Sequence, residues 1–322
     1  SLSVLKRIKT DKLFFVLDIF RKAGFYRKDY PRVIKDLNFG VQRPGLVLTA
    51  VDALNGQAIC ILKEKTGGVK MKYSVCSETV FEGVDILDAM KTIKKCGYDA
   101  VEFWFWWERD VDAIAKASRE LNLEVAAICA PFGKPGDLST HDSYVADLQK
   151  TFEAADKMGC DKIIVQGGWI DDAIPDGVHR KNMIRLFKRI APMAQKANKM
   201  LIVEPLNKKV NHPSYYLDKS RDAFDIIDIV GSPNLKVLFD IYHQQITEGN
   251  LIENITENID KIGHFHMAGN PGRNDIYRGE INYANILRAI KDCGYTGYAG
   301  LEYFPADPVE ESLIRTKKEV LI

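Results

Sequence analysis

Several short apolar runs in the second half of this 322-residue chain end on side chains that hold metals or move protons. Ile202-Val203 leads into Glu204, Leu238-Phe239 into Asp240 and Gly300-Leu301 into Glu302, while His264 and His266 flank Phe265. Successive side chains of a strand point to opposite faces, so the two histidines share one face and Phe265 takes the other. The chain then breaks at Gly269-Asn270-Pro271-Gly272, a loop that would swing Arg273 back over the same end as an anion-binding group. Each residue alone has an ordinary use. Glu204 could cap a turn, Asp240 the next helix, Glu302 could pair with a lysine, and a lone histidine is commonly a satisfied core residue. Their chemistry changes only if the strand ends meet.

The elements that would bring them together recur along residues 71–322. Strand-like runs fall at 72–76, 100–105, 124–129, 162–166, 200–204, 236–240, 263–267 and 298–303, with amphipathic helical runs between them at 86–95, 110–121, 143–158, 179–198, 221–230, 251–259 and 283–292, and one more after Pro308. Eight strand–helix pairs in about 250 residues predict an α/β fold, a (β/α)8 TIM barrel. Repeated joints support this: Lys95-Cys96-Gly97-Tyr98 is echoed by Asp292-Cys293-Gly294-Tyr295 and more loosely by Met158-Gly159-Cys160-Asp161, each with a glycine that can end a helix in a left-handed cap. A doubly wound open sheet is the competitor, but no Gly-x-Gly-x-x-Gly follows a strand and there is no phosphate loop. In a barrel the strand ends share one mouth, so Glu204, Asp240, His266 and Glu302 would surround a single point. Three carboxylates buried together repel and protonate unless a cation sits among them. Oxygen ligands with one imidazole suit Mn²⁺, Mg²⁺ or Co²⁺ better than a structural zinc.

Net charge is unevenly distributed. Residues 1–70 hold 14 Lys+Arg against 6 Asp+Glu, a net of +8, which leaves 31 against 38, a net of −7, for residues 71–322. The first 70 residues therefore read as a separate N-terminal extension, with a helical stretch near 4–22 and a hairpin of 46–51 with 58–62 around Asn55-Gly56. Its basic charges are interspersed with acids and carry no groove motif, so no nucleic-acid partner is expected. Codons for Thr66-Gly67-Gly68-Val69-Lys70 can contain a purine-rich ribosome-binding site, which makes Met71 a candidate natural start. The apolar run at 13–17 is too short for a membrane span or a signal-peptide core, so a cytoplasmic protein is expected. Six cysteines without a Cys-x-x-Cys pair read as buried thiols.

Glu-Pro-Leu-Asn at 204–207, Asp-Ile-Tyr-His at 240–243, His-Phe-His-Met-Ala-Gly-Asn-Pro-Gly-Arg at 264–273, Gly-Glu-Ile-Asn-Tyr at 279–283 and Gly-Leu-Glu-Tyr at 300–303 resemble the hydroxypyruvate isomerase branch of the xylose isomerase-like TIM barrels. The resemblance covers residues 71–322. It implies that Glu204, Asp240, His266 and Glu302 ligate a divalent metal, with Glu204 and Glu302 doubling as the acid/base pair. The implied reaction interconverts small hydroxy-carbonyl compounds through a cis-enediolate, as hydroxypyruvate to tartronate semialdehyde. A cation on the carbonyl and neighbouring hydroxyl oxygens would stabilise that species while a glutamate removes the carbon-bound proton. His243 could polarise a substrate oxygen or instead orient Asp240. Arg273 could hold a hydroxyl or carboxylate, or instead pair with Glu280 or Asp275. Trp104, Trp106 and Trp107 could wall the mouth, or pack against helices or a second subunit, which leaves room for a homo-oligomer.

Two departures widen the choice. His266 stands where hydroxypyruvate isomerases resemble His-x-Gln, as in ketose 3-epimerases of the tagatose/psicose type, whereas Lys208-Lys209-Val210 lacks the sugar-binding glutamate of those epimerases. A sugar dehydratase on the same barrel is a further alternative. An endonuclease IV-like hydrolase is disfavoured by six histidines in total and an acidic barrel, and a barrel that only binds a sugar or a partner is the non-enzyme reading.

Overall fold

The computed structural model describes residues 70–322 and, before them, the backbone of three strands: β1 (Gln42–Arg43), β2 (Leu46–Val51) and β3 (Ile59–Glu64). These form an antiparallel sheet in the order β1-β2-β3, with Leu46 opposite Glu64 and Val51 opposite Ile59. The expected hairpin is thus present, its second strand shifted toward the C-terminus. The helix expected near 4–22 lies outside the described residues. Contacts divide the chain into two units, Ser1–Val69 and Lys70–Ile322.

In the second unit eight parallel strands close on themselves: β4 (Lys72–Cys76), β5 (Ala100–Phe103), β6 (Glu124–Cys129), β7 (Lys162–Gln166), β8 (Met200–Glu204), β9 (Leu235–Asp240), β10 (Ile262–Met267) and β11 (Tyr298–Leu301). The last strand pairs with the first, Tyr298 opposite Lys72 and Leu301 opposite Val75, so the barrel has no free edge. The helices are α1 (Ser77–Val80), α2 (Ile86–Lys95), α3 (Val111–Leu121), α4 (His141–Met158), α5 (Asp176–Lys196), α6 (Ser220–Val230), α7 (Ile241–Thr247), α8 (Leu251–Glu257), α9 (Tyr283–Asp292) and α10 (Val309–Glu319). Among the described residues, no helix is long and apolar enough to cross a membrane.

Alternation along the strands divides the core in two. Val165, Val203, Phe239 and Phe265 belong to the large cluster shared with the helices, whereas Ile164, Ile202 and Leu238 form a small cluster with Ala127 and Cys129. Phe265 stands 4.9 Å edge-on to Tyr295 and 6.2 Å from Phe239. Burial of such a ring stabilises the fold by about 1.5–3 kcal/mol and fixes the register that turns His264 and His266 the other way.

Helix ends follow the sequence signals. Asp85, Asp110 and Asn282 accept backbone N–H bonds at the starts of α2, α3 and α9. The three related joints close alike: Tyr98, Tyr295 and Cys160 donate backbone N–H bonds to Ile93, Ile290 and Ala155, with Gly97, Gly294 and Gly159 at φ +80°, +79° and +69°. Open space surrounds both Gly159 and Gly177, the latter without a positive φ and inside α5, so conformation alone decides what alanine does at each. Gly159→Ala should lower unfolding free energy by about 1 kcal/mol in a denaturant titration, and Gly177→Ala should raise it by up to about 1 kcal/mol.

Candidate active site

Glu204 ends β8, Asp240 ends β9, His266 is the penultimate residue of β10, and Glu302 follows β11. The Glu302 N–H donates to the Met267 carbonyl at 3.0 Å, so the ladder continues one residue beyond the strand and holds this side chain in phase. His266 stands opposite Asp240 on one side and Gly300 on the other. One ligand atom from each of Glu204, Asp240, His266 and Glu302 lies within 4.8 Å of the others, and all four residues are buried. The expected convergence of these four side chains is observed.

His266 Nδ1 is 3.2 Å from Glu204 Oε1 and 3.4 Å from Glu302 Oε1. Arg273 closes the group from the loop after β10, its guanidinium on Glu302 Oε2 and 5.7 Å from the Tyr242 ring. Neither Glu280 nor Asp275 takes it: Glu280 accepts from Asn270 and Gln245, and Asp275 faces Arg278. Burial, with Glu302 and then Glu204 close by, pushes the Asp240 carboxyl up to about 7. Burial likewise raises Glu204, Glu302 adding to it. Burial opposes ionisation of Glu302 too, but His266 and Arg273 outweigh it and hold that carboxyl well below the usual carboxylate range. His266 is raised well above an ordinary imidazole, burial being overcome by Glu302 and Glu102.

Asp240 does two jobs at once. Its Oδ1 accepts the His243 N–H at 2.9 Å and caps α7, while Oδ2 is buried without a hydrogen-bond partner. A buried, unpartnered carboxylate oxygen among two further acids and an imidazole could hold a divalent cation.

His243 lies behind this group. Its Nδ1 accepts from the Asn207 side-chain amide at 2.6 Å and faces the Asn207 backbone N–H at 3.2 Å, which leaves the ring proton on Nε2, 3.7 Å from Asp240 Oδ2. Burial and Arg273 keep it neutral, well below its ordinary pKa. The cleft in front, of about 560 Å³ with the space open to solvent, is lined by aromatic rings, Trp104, Phe132, Trp169 and Tyr215, and by polar groups, Gln166, His212, Arg273, Glu204 and Glu302. His243 is not part of that lining. Trp104 walls the mouth as expected; Trp107 is exposed and packs edge-on to Phe105 and Phe132, and Trp106 is half-buried. Lys208 and Lys209 turn away to Asp218 and the Ile246 carbonyl.

Three polar residues escaped the sequence reading. Gln166 ends an apolar strand, the same signal that marked the four ligands, but on the first half of the barrel. Glu102 is an acid inside the apolar run Ala100–Phe103, where a charge needs a buried partner. His212 lies in an irregular segment with no periodicity to mark it.

The profile of the Xylose isomerase-like TIM barrel family matches residues 90–319. The chain belongs to this family. The hydroxypyruvate isomerase of Escherichia coli is 28% identical over 254 residues, 76% of this chain and 97% of its own length. The 2-oxo-tetronate isomerase of Cupriavidus necator is 30% identical over 230 residues, covering 68% and 87%. The crystal structure of AP endonuclease, family 2, from Brucella melitensis has a TM-score of 0.71 at 24% identity, covering 78% of this chain and all of that one, a likeness of fold. Both sequence relatives are isomerases, and this xylose isomerase-like chain is an isomerase-type enzyme of the sugar-isomerase kind.

Asp240 also fixes a pH signature. An unfolded aspartate ionises near pH 3.9, so between roughly pH 4 and 7 the metal-free folded state keeps a proton that the unfolded state has lost. Asp240's contribution to the stability of the metal-free protein should therefore fall as pH rises through that window, and the raised His266 should carry the fall on to higher pH. Added Mn²⁺ should raise the melting temperature more at pH 8 than at pH 5. Equal rises at both would contradict this assignment.

Proposed function

We propose that this barrel is a divalent-metal-dependent isomerase of small 2-oxo acids that carry a hydroxyl on the neighbouring carbon, of the type that converts hydroxypyruvate to tartronate semialdehyde. The observation that carries the reading is the unpartnered Asp240 Oδ2, grouped with Glu204, His266 and Glu302, of which Glu204 and Glu302 line a cleft together with Arg273. When bound, the ion supplies Lewis acidity toward the substrate's carbonyl and adjacent hydroxyl oxygens.

The remaining work falls to side chains. Glu204 and Glu302 flank the place where the two reacting carbons would lie. One carboxylate removes a proton from the hydroxyl-bearing carbon, giving a cis-enediolate, and it or its partner delivers a proton to the former carbonyl carbon, while the hydroxyl and carbonyl oxygens exchange roles. Arg273 offers a planar fork to the substrate carboxylate, which a neutral sugar lacks. His243, held by Asn207, orients Asp240 rather than touching substrate. Trp104, Phe132 and Trp169 exclude water on the open side, which prolongs the life of an enediolate and strengthens the charges beneath it. Both relatives named above support an acid substrate, of three or four carbons.

Ketose 3-epimerisation is the competing reading, drawn from His266 in place of glutamine. There the second carboxylate would return the proton to the same carbon from the other face.

Metal-stripped protein supplied with Mn²⁺, Mg²⁺ or Co²⁺ in deuterium oxide decides between them by NMR. Deuterium should enter hydroxypyruvate or 2-oxo-tetronate, only with metal, and not fructose; Glu302→Gln should lower the rate about 10²- to 10⁴-fold. Exchange into fructose alone would establish epimerase chemistry. No exchange into any of them, with metal binding intact, would remove the isomerase reading.

A further inference from the structure

His266 belongs also to a second buried set, with Glu102 and His264, two residues that the reaction above does not use. Glu102, on β5, reaches across the barrel to both histidines of β10: its Oε2 is hydrogen-bonded to His264 Nε2 at 2.8 Å and faces His266 Nε2 at 3.4 Å, a buried nitrogen that has no hydrogen-bond partner. Its other oxygen accepts from Ser74 Oγ at 3.3 Å. Space for it comes from Gly300, where a Cβ would fall 1.8 Å from Glu102 Oε1 and 3.0 Å from His266 Cδ2. Strand pairing aligns these positions, His266 opposite Gly300, Gly300 opposite Ser74, and Cys76 opposite Glu102. A carboxylate with 1% exposure, so enclosed, is costly unless its partners need its charge.

We propose that Glu102 is a positioning residue for the metal site. It fixes His266 with Nε2–H turned inward and so leaves the Nδ1 lone pair for the ion, on the side where Nδ1 already meets Glu204 and Glu302. An imidazole can turn either nitrogen to a ligand, and what selects one is the acceptor that takes the proton on the other. His264 holds that acceptor in place: its Nε2–H donates to Glu102, and its own Nδ1 is buried with no partner, so the ring serves Glu102 alone. The alternative is that Glu102, His264 and His266 hold an ion of their own. It requires His266 to give both nitrogens to metals at once, which means losing both ring protons.

The inference rests on the metal reading above, and the experiment separates their failures. Full-length protein, stripped of metal, is titrated calorimetrically with Mn²⁺ as wild type, Glu102→Gln and Glu102→Leu, with metal-free melting curves recorded for each and bound metal counted. Wild type should bind one ion; Glu102→Gln should bind about 10- to 100-fold more weakly, with the leucine variant at least as weak. Co²⁺-loaded Glu102→Gln should show a shifted visible spectrum, which a variant damaged only in packing would not. If leucine prevents folding, the glutamine variant decides. Unchanged affinity in a folded Glu102→Gln protein would overturn the positioning role alone. Two ions in wild type, one lost on substitution, would make Glu102 a ligand and overturn it too. Absence of binding in wild type would bring down the metal reading and this inference together.

Discussion

The mutual repulsion of three buried carboxylates is the constraint around which this barrel is arranged. Glu204, Asp240 and Glu302 sit where a closed ring of parallel strands brings their ends together, all three buried and with ligand atoms within 4.8 Å of one another. Only part of that repulsion is offset within the chain. His266 and Arg273 suffice for Glu302, but Asp240 and Glu204 stay shifted toward their protonated forms. The apolar faces of the strands and the helices outside them hold the acids at this distance; in an open sheet they would part. Core packing thus maintains an electrostatic arrangement that is unfavourable by itself, as sites poised for chemistry often are.

Around this group, neighbouring polar residues bond to one another. Asn207 fixes the His243 tautomer, His243 faces Asp240, and Asp240 divides its two oxygens between a helix cap and the site. On the opposite side Ser74 and His264 hold Glu102 against His266. The cleft itself mixes aromatic rings with polar and charged groups.

Much of this could be read from the sequence because a TIM barrel turns a linear pattern into geometry. Strands with alternating apolar residues, ended by an acid or a histidine, can converge only at one end, so the phase of Glu204, Asp240, His266 and Glu302 was enough to bring them together. Helix α7 has no run of its own in the sequence pattern because seven residues after Asp240 are too few for a periodic signal, although Asp240 could be read as a helix cap as well as a strand end. Residues 104 and 105 read as strand because they are aromatic, yet the strand stops at Phe103 and a short 3-10 turn, Trp106–Glu108, follows. Glu102 went unread for a different reason: attention to the last four strands ignored an acid whose partners lie 162 and 164 positions away, and sequence spacing carries no trace of such a contact. His243 carried two readings, and only its position behind Asp240 separates them.

Gly300 has a meaning that reaches beyond its own strand. Glycine in the middle of a strand ordinarily weakens it, having nothing to pack. Here the missing volume is filled by a carboxylate that starts two strands away, so the space around positions 74, 102, 266 and 300 is shared among four strands. None of the four can change size independently. Evolution within such a barrel would have to alter them jointly, a longer residue at 300 arriving with a shorter one at 102, and the record of that bargain would be correlated substitution between residues far apart in the chain.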